Sequence, residues 1–123
     1  MSITVTIQSE RRLTICRGEG EIDQDDFAQA RAAMMAHPEF DRTFDLLLDF
    51  LDVVSTNVST DFLREFAKMS PVKPPGRIAN VVKGSLEFGL ARVGMSHVPD
   101  MEVEVGVFYD RNEALEWLEL EEQ

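Results

Sequence analysis

The run at residues 44–50, with the sequence FDLLLDF, constrains the fold more strongly than any other stretch of the chain. Its three consecutive leucines lack the strict alternation of apolar and polar residues that marks a strand with one face in water. A short continuous apolar run of this kind is typical of a parallel strand that is buried on both faces. Parallel strands need crossover connections, so we expect helices before and after this run.

The rest of the chain alternates between the two-residue period of strands and the longer period of helices. Strand patterns occur in ITVTIQ, RLTICR, RIANVV and MEVEVGVFYD, and the first two flank the turn SER as in an antiparallel hairpin. Helical patterns follow Asp23, Ser59, the residues KGS at 83–85, and Asp110. The order ββαβαβαβα predicts one α/β domain over residues 1–123, with a mixed five-stranded sheet, an antiparallel first strand and four helices.

Capping residues mark where the helices begin. Asp23 is followed three residues later by Asp26, and Asp110 by Glu113, and both spacings are those of a capping box. Ser59 is the expected N-cap of a helix between these two.

The charge of the chain bears on its partners. A formal net charge of −11 argues against nucleic-acid binding, because phosphates require a basic surface. Residues 64–97 differ from the rest, with six basic and two acidic side chains. They predict either a locally positive face or, in the blander interpretation, solvated side chains that balance acidic neighbours. Because no apolar run approaches ~20 residues and no secretory signal pattern occurs, we expect a cytoplasmic protein without a transmembrane segment.

Residue types that carry catalysis or bind metals are sparse. Cys16 lies in a predicted strand, and neither His37 nor His97 lies near it at metal-ligand spacing, so we expect Cys16 in the core. Both histidines are predicted at the sheet edge opposite the serine-rich segment, which excludes a Ser-His-Asp triad. Asp49 and Asp52 are interpreted as solvated or capping carboxylates rather than as a general acid and base. We therefore predict no enzyme activity, no metal site and no cofactor.

Ligands of open parallel sheets bind outside the carboxyl ends of the strands, where helices begin. Four segments are predicted at this edge, at residues 18–20, 51–59, 83–85 and 109–110. Ser59, Ser85 and Asp110 are expected N-caps there, and helix N-termini favour negative charge. We predict an anion or partner site at this edge, with Lys83 and Ser85 as candidate anion contacts.

The segment at residues 51–59 carries the candidate residues Thr56, Asn57 and Ser59. Two interpretations stay open for them. They form a switch or partner-binding site, or Ser59 is only a helix cap and its neighbours are ordinary loop residues.

Three motifs of the chain resemble the SpoIIAA-like family. They are the DLLLDF strand with the segment after it, the pattern FGLARVG after RIANVV, and the ending VGVFYDRNEALEWL. Domains of this family share the fold of STAS domains, which occur in anti-sigma factor antagonists and sulfate transporters, and are compared with SEC14-like lipid-binding domains. Together with the element order, the motifs imply a single SpoIIAA-like domain over nearly the whole chain.

In STAS antagonists an Asp-Ser-Ser-Gly motif follows the corresponding strand, and its serine is phosphorylated to release a protein partner. By resemblance the motif falls at residues 57–60, with Ser59 at the serine position. Asn57 replaces the acid and Thr60 replaces the glycine, so the motif is incomplete. The resemblance implies a non-enzymatic regulatory module that binds a protein partner, and for so small a domain a homodimer is also expected.

The comparison with SEC14-like domains implies an alternative function, a carrier or sensor of a small lipid-like or amphiphilic ligand. Its candidate pocket is lined by Phe62, Phe66, Phe88, Gly89 and Leu90. Gly89 costs about 1 kcal/mol in a helix, so we expect it to make room for the sheet or for a ligand. The competing interpretation is that apolar residues at this helical spacing belong to the core.

Overall fold

The computed structural model describes residues 2–68, 71–83 and 103–120. Its strands are β1 (Ser2–Gln8), β2 (Leu13–Asp23), β3 (Asp45–Asn57), β4 (Ile78–Val81) and β5 (Val105–Phe108). Its α-helices are α1 (Gln24–Ala36), α2 (Thr60–Lys68) and α3 (Arg111–Leu120), and a short 3-10 turn, Ser9–Arg11, joins β1 to β2.

The strands lie in the sheet in the order of the chain. β1 is antiparallel to β2, and each later strand is parallel to its neighbour, which confirms the mixed five-stranded sheet. The three α-helices of the described residues correspond to three of the four predicted ones. The predicted helix with Leu86, Leu90 and Val93 lies outside the described residues.

β3 supplies side chains to two hydrophobic cores, one on each face of the sheet. Leu46 belongs to the core that contains Met34 of α1, whereas Leu47 belongs to the core that contains Leu118 of α3. Successive strand residues point to opposite faces, so the run of leucines is buried on both sides, as predicted. Cys16 is 2% exposed in the first core, and this burial raises its pKa to about 12. It is the core residue that its position in a strand predicts.

β2 and β3 both extend further than their sequences predict. β2 continues through residues 18–20, and β3 through residues 55–57, where Asn57 pairs with Asp23. Residues 18–20, predicted outside the carboxyl ends of the strands, are therefore part of β2, and the interpretation of residues 55–57 as ordinary loop residues is wrong. Two bulges, each adding one residue to β3, keep the strands paired, and Gly20 adopts a φ of 71° beside the second. Pairing with the neighbouring strand overrides the turn-like local composition.

The capping residues lie where the sequence predicts them. Asp23 and Asp26 form a complete capping box, in which each carboxylate accepts the other residue's N–H, at 3.0 and 2.9 Å. Asp110 Oδ1 accepts the N–H groups of Asn112 and Glu113 at 2.7 and 3.3 Å. These bonds satisfy amides that the first turn of a helix leaves without a partner, so α1 and α3 begin at the predicted positions.

Gly76, in the turn before β4, has no room for a side chain. A Cβ atom there would lie 2.5 Å from the carbonyl oxygen of Phe44, a backbone atom that cannot rotate aside as a side chain can. We expect Gly76→Ala to lower the free energy of unfolding by about 2 kcal/mol, measured by urea denaturation. Gly106→Ala is the control, since the atoms nearest its Cβ would belong to side chains and not to backbone: the Phe108 ring at 2.9 Å and the Trp117 ring at 3.5 Å. Equal losses in the two variants would contradict the steric explanation.

Candidate functional site

The carboxyl ends of the central strands carry two groups of polar side chains. One lies near the start of α3, and we call it the ion-pair cluster; it comprises Arg17, Asp49, Asp52 and Arg111. The other joins the starts of α1 and α2, and we call it the helix junction; it comprises Gln24 and Ser59.

Asp49 is a buried carboxylate, and Arg111 is its partner. The Asp49 side chain is 5% exposed, and its Oδ2 lies 2.5 Å from Nε of Arg111, the first residue of α3. Its Oδ1 accepts the N–H of Leu51 at 3.3 Å. The prediction of a solvated or capping carboxylate is wrong, because Asp49 lies on the same strand face as the buried Leu47 and hence beneath α3. The hydrogen bond with Asp49 raises the pKa of Arg111.

Asp52 forms the second ion pair of the cluster, with Arg17 of β2. The hydrogen bond from Arg17 is the main cause that lowers the pKa of Asp52, and the charges of Arg111 and Lys83 lower it further. A carboxylate with a lowered pKa stays ionised at neutral pH, so it cannot donate a proton as a general acid. Lys83, a predicted anion contact, thus lies close enough to Asp52 to act on a carboxylate of this chain.

The hydroxyl group of Ser59 both accepts and donates a hydrogen bond. Its Oγ accepts the N–H of Phe62 at 3.0 Å, the bond expected of an N-cap, and donates to Oε1 of Gln24 at 3.3 Å. The backbone N–H of Ser59 donates to the same Gln24 oxygen at 3.2 Å. The capping role of Ser59 is therefore present in the structure, together with a link to α1 that the sequence did not predict.

The surroundings of the helix junction are acidic. Thr56 is partly buried and Asn57 is exposed, and an open cleft beside Asn57 is lined by three residues at the start of α1: Asp23, Gln24 and Asp25. Since Gln24 lies between the two aspartates in the sequence, a negative group placed on Ser59 would come close to negative charge. The charge of Lys83 acts on Asp52 of the ion-pair cluster.

The two candidate pocket residues that the structure describes, Phe62 and Phe66 of α2, lie in a group of partly buried rings. We call this group the phenylalanine cluster; it comprises Phe27, Phe50, Phe62 and Phe66. Phe62 stacks on Phe66 with a centroid distance of 5.2 Å. The guanidinium of Arg31 lies 3.5 Å from the Phe66 ring centroid, and its Nη1 donates to the Phe66 carbonyl at 2.8 Å. The candidate residues Ser85, Phe88, Gly89 and Leu90 lie outside the described residues.

Four polar or charged residues in or beside these groups were not predicted from the sequence: Arg17, Gln24, Arg31 and Arg111. Arg111 directly follows the expected N-cap Asp110, at the sheet edge where a site was predicted. This position was the one signal in the sequence that could have identified Arg111 as a site residue. Gln24 and Arg31 are polar residues on a helix, a common type of position that points to no particular contact.

Two features bear on metal binding and on membranes. Among residues 2–68, 71–83 and 103–120, no three His, Cys, Asp or Glu side chains are grouped so that they could hold a metal ion. Over the same residues, no helix combines the length and apolar character needed to cross a bilayer.

Loss of Arg111 tests the energetic role of its pair with Asp49. We expect Arg111→Met to lower the free energy of unfolding by about 2 kcal/mol, because it leaves a buried carboxylate without its cation. Adding Asp49→Asn should recover most of that loss, because an amide costs less to bury than a carboxylate. Arg64→Met is the control: Arg64 pairs with the exposed Asp61, so the change should stay within ~0.5 kcal/mol. Additive effects of the two substitutions in denaturant unfolding would contradict the coupling.

Comparisons with known proteins bear on the fold. The sequence matches no protein-family model and no curated protein sequence. A solved structure of similar shape is that of an uncharacterised DUF3478-family protein from Shewanella loihica PV-4, which is described as having a SpoIIAA-like fold. It is 18% identical, with a TM-score of 0.59 over 95% of this chain and 92% of that chain. A likeness at this identity concerns the fold alone, and it confirms that this chain has a SpoIIAA-like α/β fold.

Proposed function

We propose that this chain is a non-enzymatic regulatory module that binds a protein partner through the end of β3 and the start of α2. The observation that carries this proposal is the length of β3. β4 pairs only with residues 46–49, whereas β3 continues to Asn57 and is paired there with β2 alone among the described residues. An extended strand edge is a template on which a second chain can pair.

The second bulge of β3 is further evidence for a partner-binding surface at the end of this strand. Val54 is the extra residue at this bulge, and it is 74% exposed, an uncommon position for a large apolar side chain. Beyond it lie Ser55 and Asn57, which are exposed, and then Ser59 at the start of α2. A partner that covers this segment would bury one apolar side chain and several small polar ones, a mixture typical of protein interfaces.

The ion-pair cluster supports a function without catalysis. Asp49 and Asp52, the carboxylates at the carboxyl edge that best fit acid–base chemistry, are each held by an arginine. The pairing with Arg17 lowers the pKa of Asp52, and both pairs engage a cation that an anionic substrate would need. The cluster thus fastens α3 to the sheet rather than presenting reactive groups.

Ser59 gives this surface a means of regulation. A phosphate on its Oγ would remove the proton now donated to Gln24 and would bring negative charge close to the acidic start of α1. The N-terminus of α2 would still favour the phosphate. We infer that modification separates the starts of α1 and α2 and changes the surface that the partner meets.

A second function is favoured by the phenylalanine cluster. Its four rings are only partly buried, and the Arg31 guanidinium at their edge would suit the head group of a small anionic amphiphile. In native mass spectrometry of the chain purified from its own cells, added mass that disappears on denaturation would favour this carrier function over partner binding.

Val54→Asp tests the partner surface. We expect it to reduce the amount of partner recovered with the chain at least about tenfold, since a carboxylate at the bulge would be buried without a cation. Met35→Asp is the matched control, because Met35 is 52% exposed on α1, and it should leave recovery unchanged. Recovery is measured by quantitative mass spectrometry after cross-linking in the native cells, and analytical ultracentrifugation identifies a second copy as the partner. Equal recovery with both variants would refute the surface.

Ser59 variants test the regulation. Ser59→Thr keeps a capping hydroxyl and should retain both stability and partner recovery. Ser59→Ala loses the cap and should lower the free energy of unfolding by about 1 kcal/mol in urea denaturation. Ser59→Glu places negative charge at the acidic start of α1 and should lose the partner beyond any effect of Ser59→Ala. If Ser59→Glu and Ser59→Ala recover the partner equally, Ser59 acts as a cap and the switch is rejected.

A further inference from the structure

α1 and α2 contact each other through three pairs of residues, which we call rungs, and the separation in sequence is the same in every pair. The rungs are Gln24–Ser59, Phe27–Phe62 and Arg31–Phe66, and in each the two residues are 35 positions apart. On each helix the rungs are spaced by three and then four residues, which places them on one face. The two helices therefore lie side by side in parallel register.

The outer rungs are polar, and the middle rung is aromatic. Gln24 Oε1 accepts both the N–H and the Oγ–H of Ser59, at 3.2 and 3.3 Å, and thus holds the N-cap of α2. Arg31 Nη1 donates to the Phe66 carbonyl at 2.8 Å, in the last turn of α2. Phe27 and Phe62 lie between them with a centroid distance of 6.3 Å. α2 is thus fastened to α1 at both of its ends.

α2 differs from the other α-helices in what it buries. α1 buries Ala30 and Met34, and α3 buries Ala114 and Leu118. Over residues 60–66, whose side chains the structure describes, α2 has no buried side chain, and Phe62, Leu63 and Phe66 are only partly buried. Helices with few buried apolar contacts open at lower free energy than the rest of a domain. The attachment of α2 to the domain therefore depends strongly on the hydrogen bonds of Gln24 and Arg31, which we call the polar clamps. α1 and α3 are instead attached through buried apolar side chains.

We propose that α2 is a lid, which Gln24 and Arg31 hold closed on Phe27 and which opens as a unit while the sheet, α1 and α3 stay folded. Opening separates all three rungs together, because the rungs lie on one face of one short helix. It exposes the ring of Phe27, which packs edge to face against Phe50 at a centroid distance of 5.8 Å. This opening is a property of the free chain and goes beyond the proposed function.

Native-state hydrogen exchange of the full chain, followed by NMR, tests the lid. In the wild type we expect the amide of Leu63, which donates to the Ser59 carbonyl, to exchange at least about 100-fold faster than core amides of α1. Its exchange should be insensitive to low urea concentrations, since opening a single helix exposes little surface. Core amides of α1 should instead show the urea dependence of global unfolding.

Variants of the clamps sharpen the test. Gln24→Ala should raise exchange of the α2 amides about five- to tenfold and leave the core amides of β3 unchanged, because Gln24 is exposed and buries nothing else. Arg31→Met should act in the same direction and add to the effect. Arg64→Ala is the matched control: the Arg64 pair with Asp61 is exposed and lies within α2 rather than between α2 and α1, so exchange should stay within about twofold of the wild type.

Two results would overturn the proposal. One is that Leu63 and the core amides of α1 exchange with the same rate and the same urea dependence, which would mean that α2 unfolds only with the whole domain. The other is that Gln24→Ala leaves α2 exchange within about twofold of the wild type. Thermal unfolding followed by circular dichroism establishes that each variant is folded. Repeating the experiment with Val54→Asp, which blocks pairing of the strand edge with a second copy, makes its outcome independent of whether Val54 binds a partner.

Discussion

Leu46 and Leu47 are adjacent on β3, yet they belong to different hydrophobic cores. Each is at most 3% exposed, and β3 is also hydrogen-bonded to a neighbouring strand on both sides over residues 46–49. Because side chains alternate across a strand, a slip of one residue would exchange the contents of the two cores. The position of β3 therefore fixes α1 on one face and α3 on the other, and it also brings Asp49 beneath α3, where the ion pair with Arg111 and the N–H of Leu51 compensate its burial.

The lack of a side chain at Gly18 of β2 links the packing of the central strand β3 to the packing of α2. A Cβ on Gly18 would lie 2.8 Å from the ring of Phe50 and 2.9 Å from Val53, so both side chains of β3 pack directly over the Gly18 backbone. Phe50 in turn meets Phe27 of α1 edge to face, and Phe27 meets the rings of α2. The absence of a side chain at one position of β2 thus permits the bulged path of β3 and the aromatic surface on which α2 rests.

The sequence reveals those features that depend on neighbours within a few residues. The buried run at residues 44–50 and the caps at Asp23 and Ser59 are local patterns, and each is present in the structure. Features that depend on register between distant segments were not predictable. The small polar residues 55–57 resemble a loop, but pairing with β2 makes them strand. The Asp49–Arg111 pair joins residues 62 positions apart, and no periodicity encodes such a distance.

The contacts of the basic residues bear on the two interpretations of the basic segment at residues 64–97. Arg64 binds Asp61, and Lys83 acts on Asp52. Arg77 is 6% exposed, with its guanidinium 4.5 Å from the centroid of the Trp117 ring. These basic groups therefore balance acidic neighbours or pack inside the domain, so the described residues favour the blander interpretation. A protein partner at the end of β3 would accordingly meet a strand edge, one valine and small polar groups, and shape and backbone hydrogen bonds would set its specificity more than charge would.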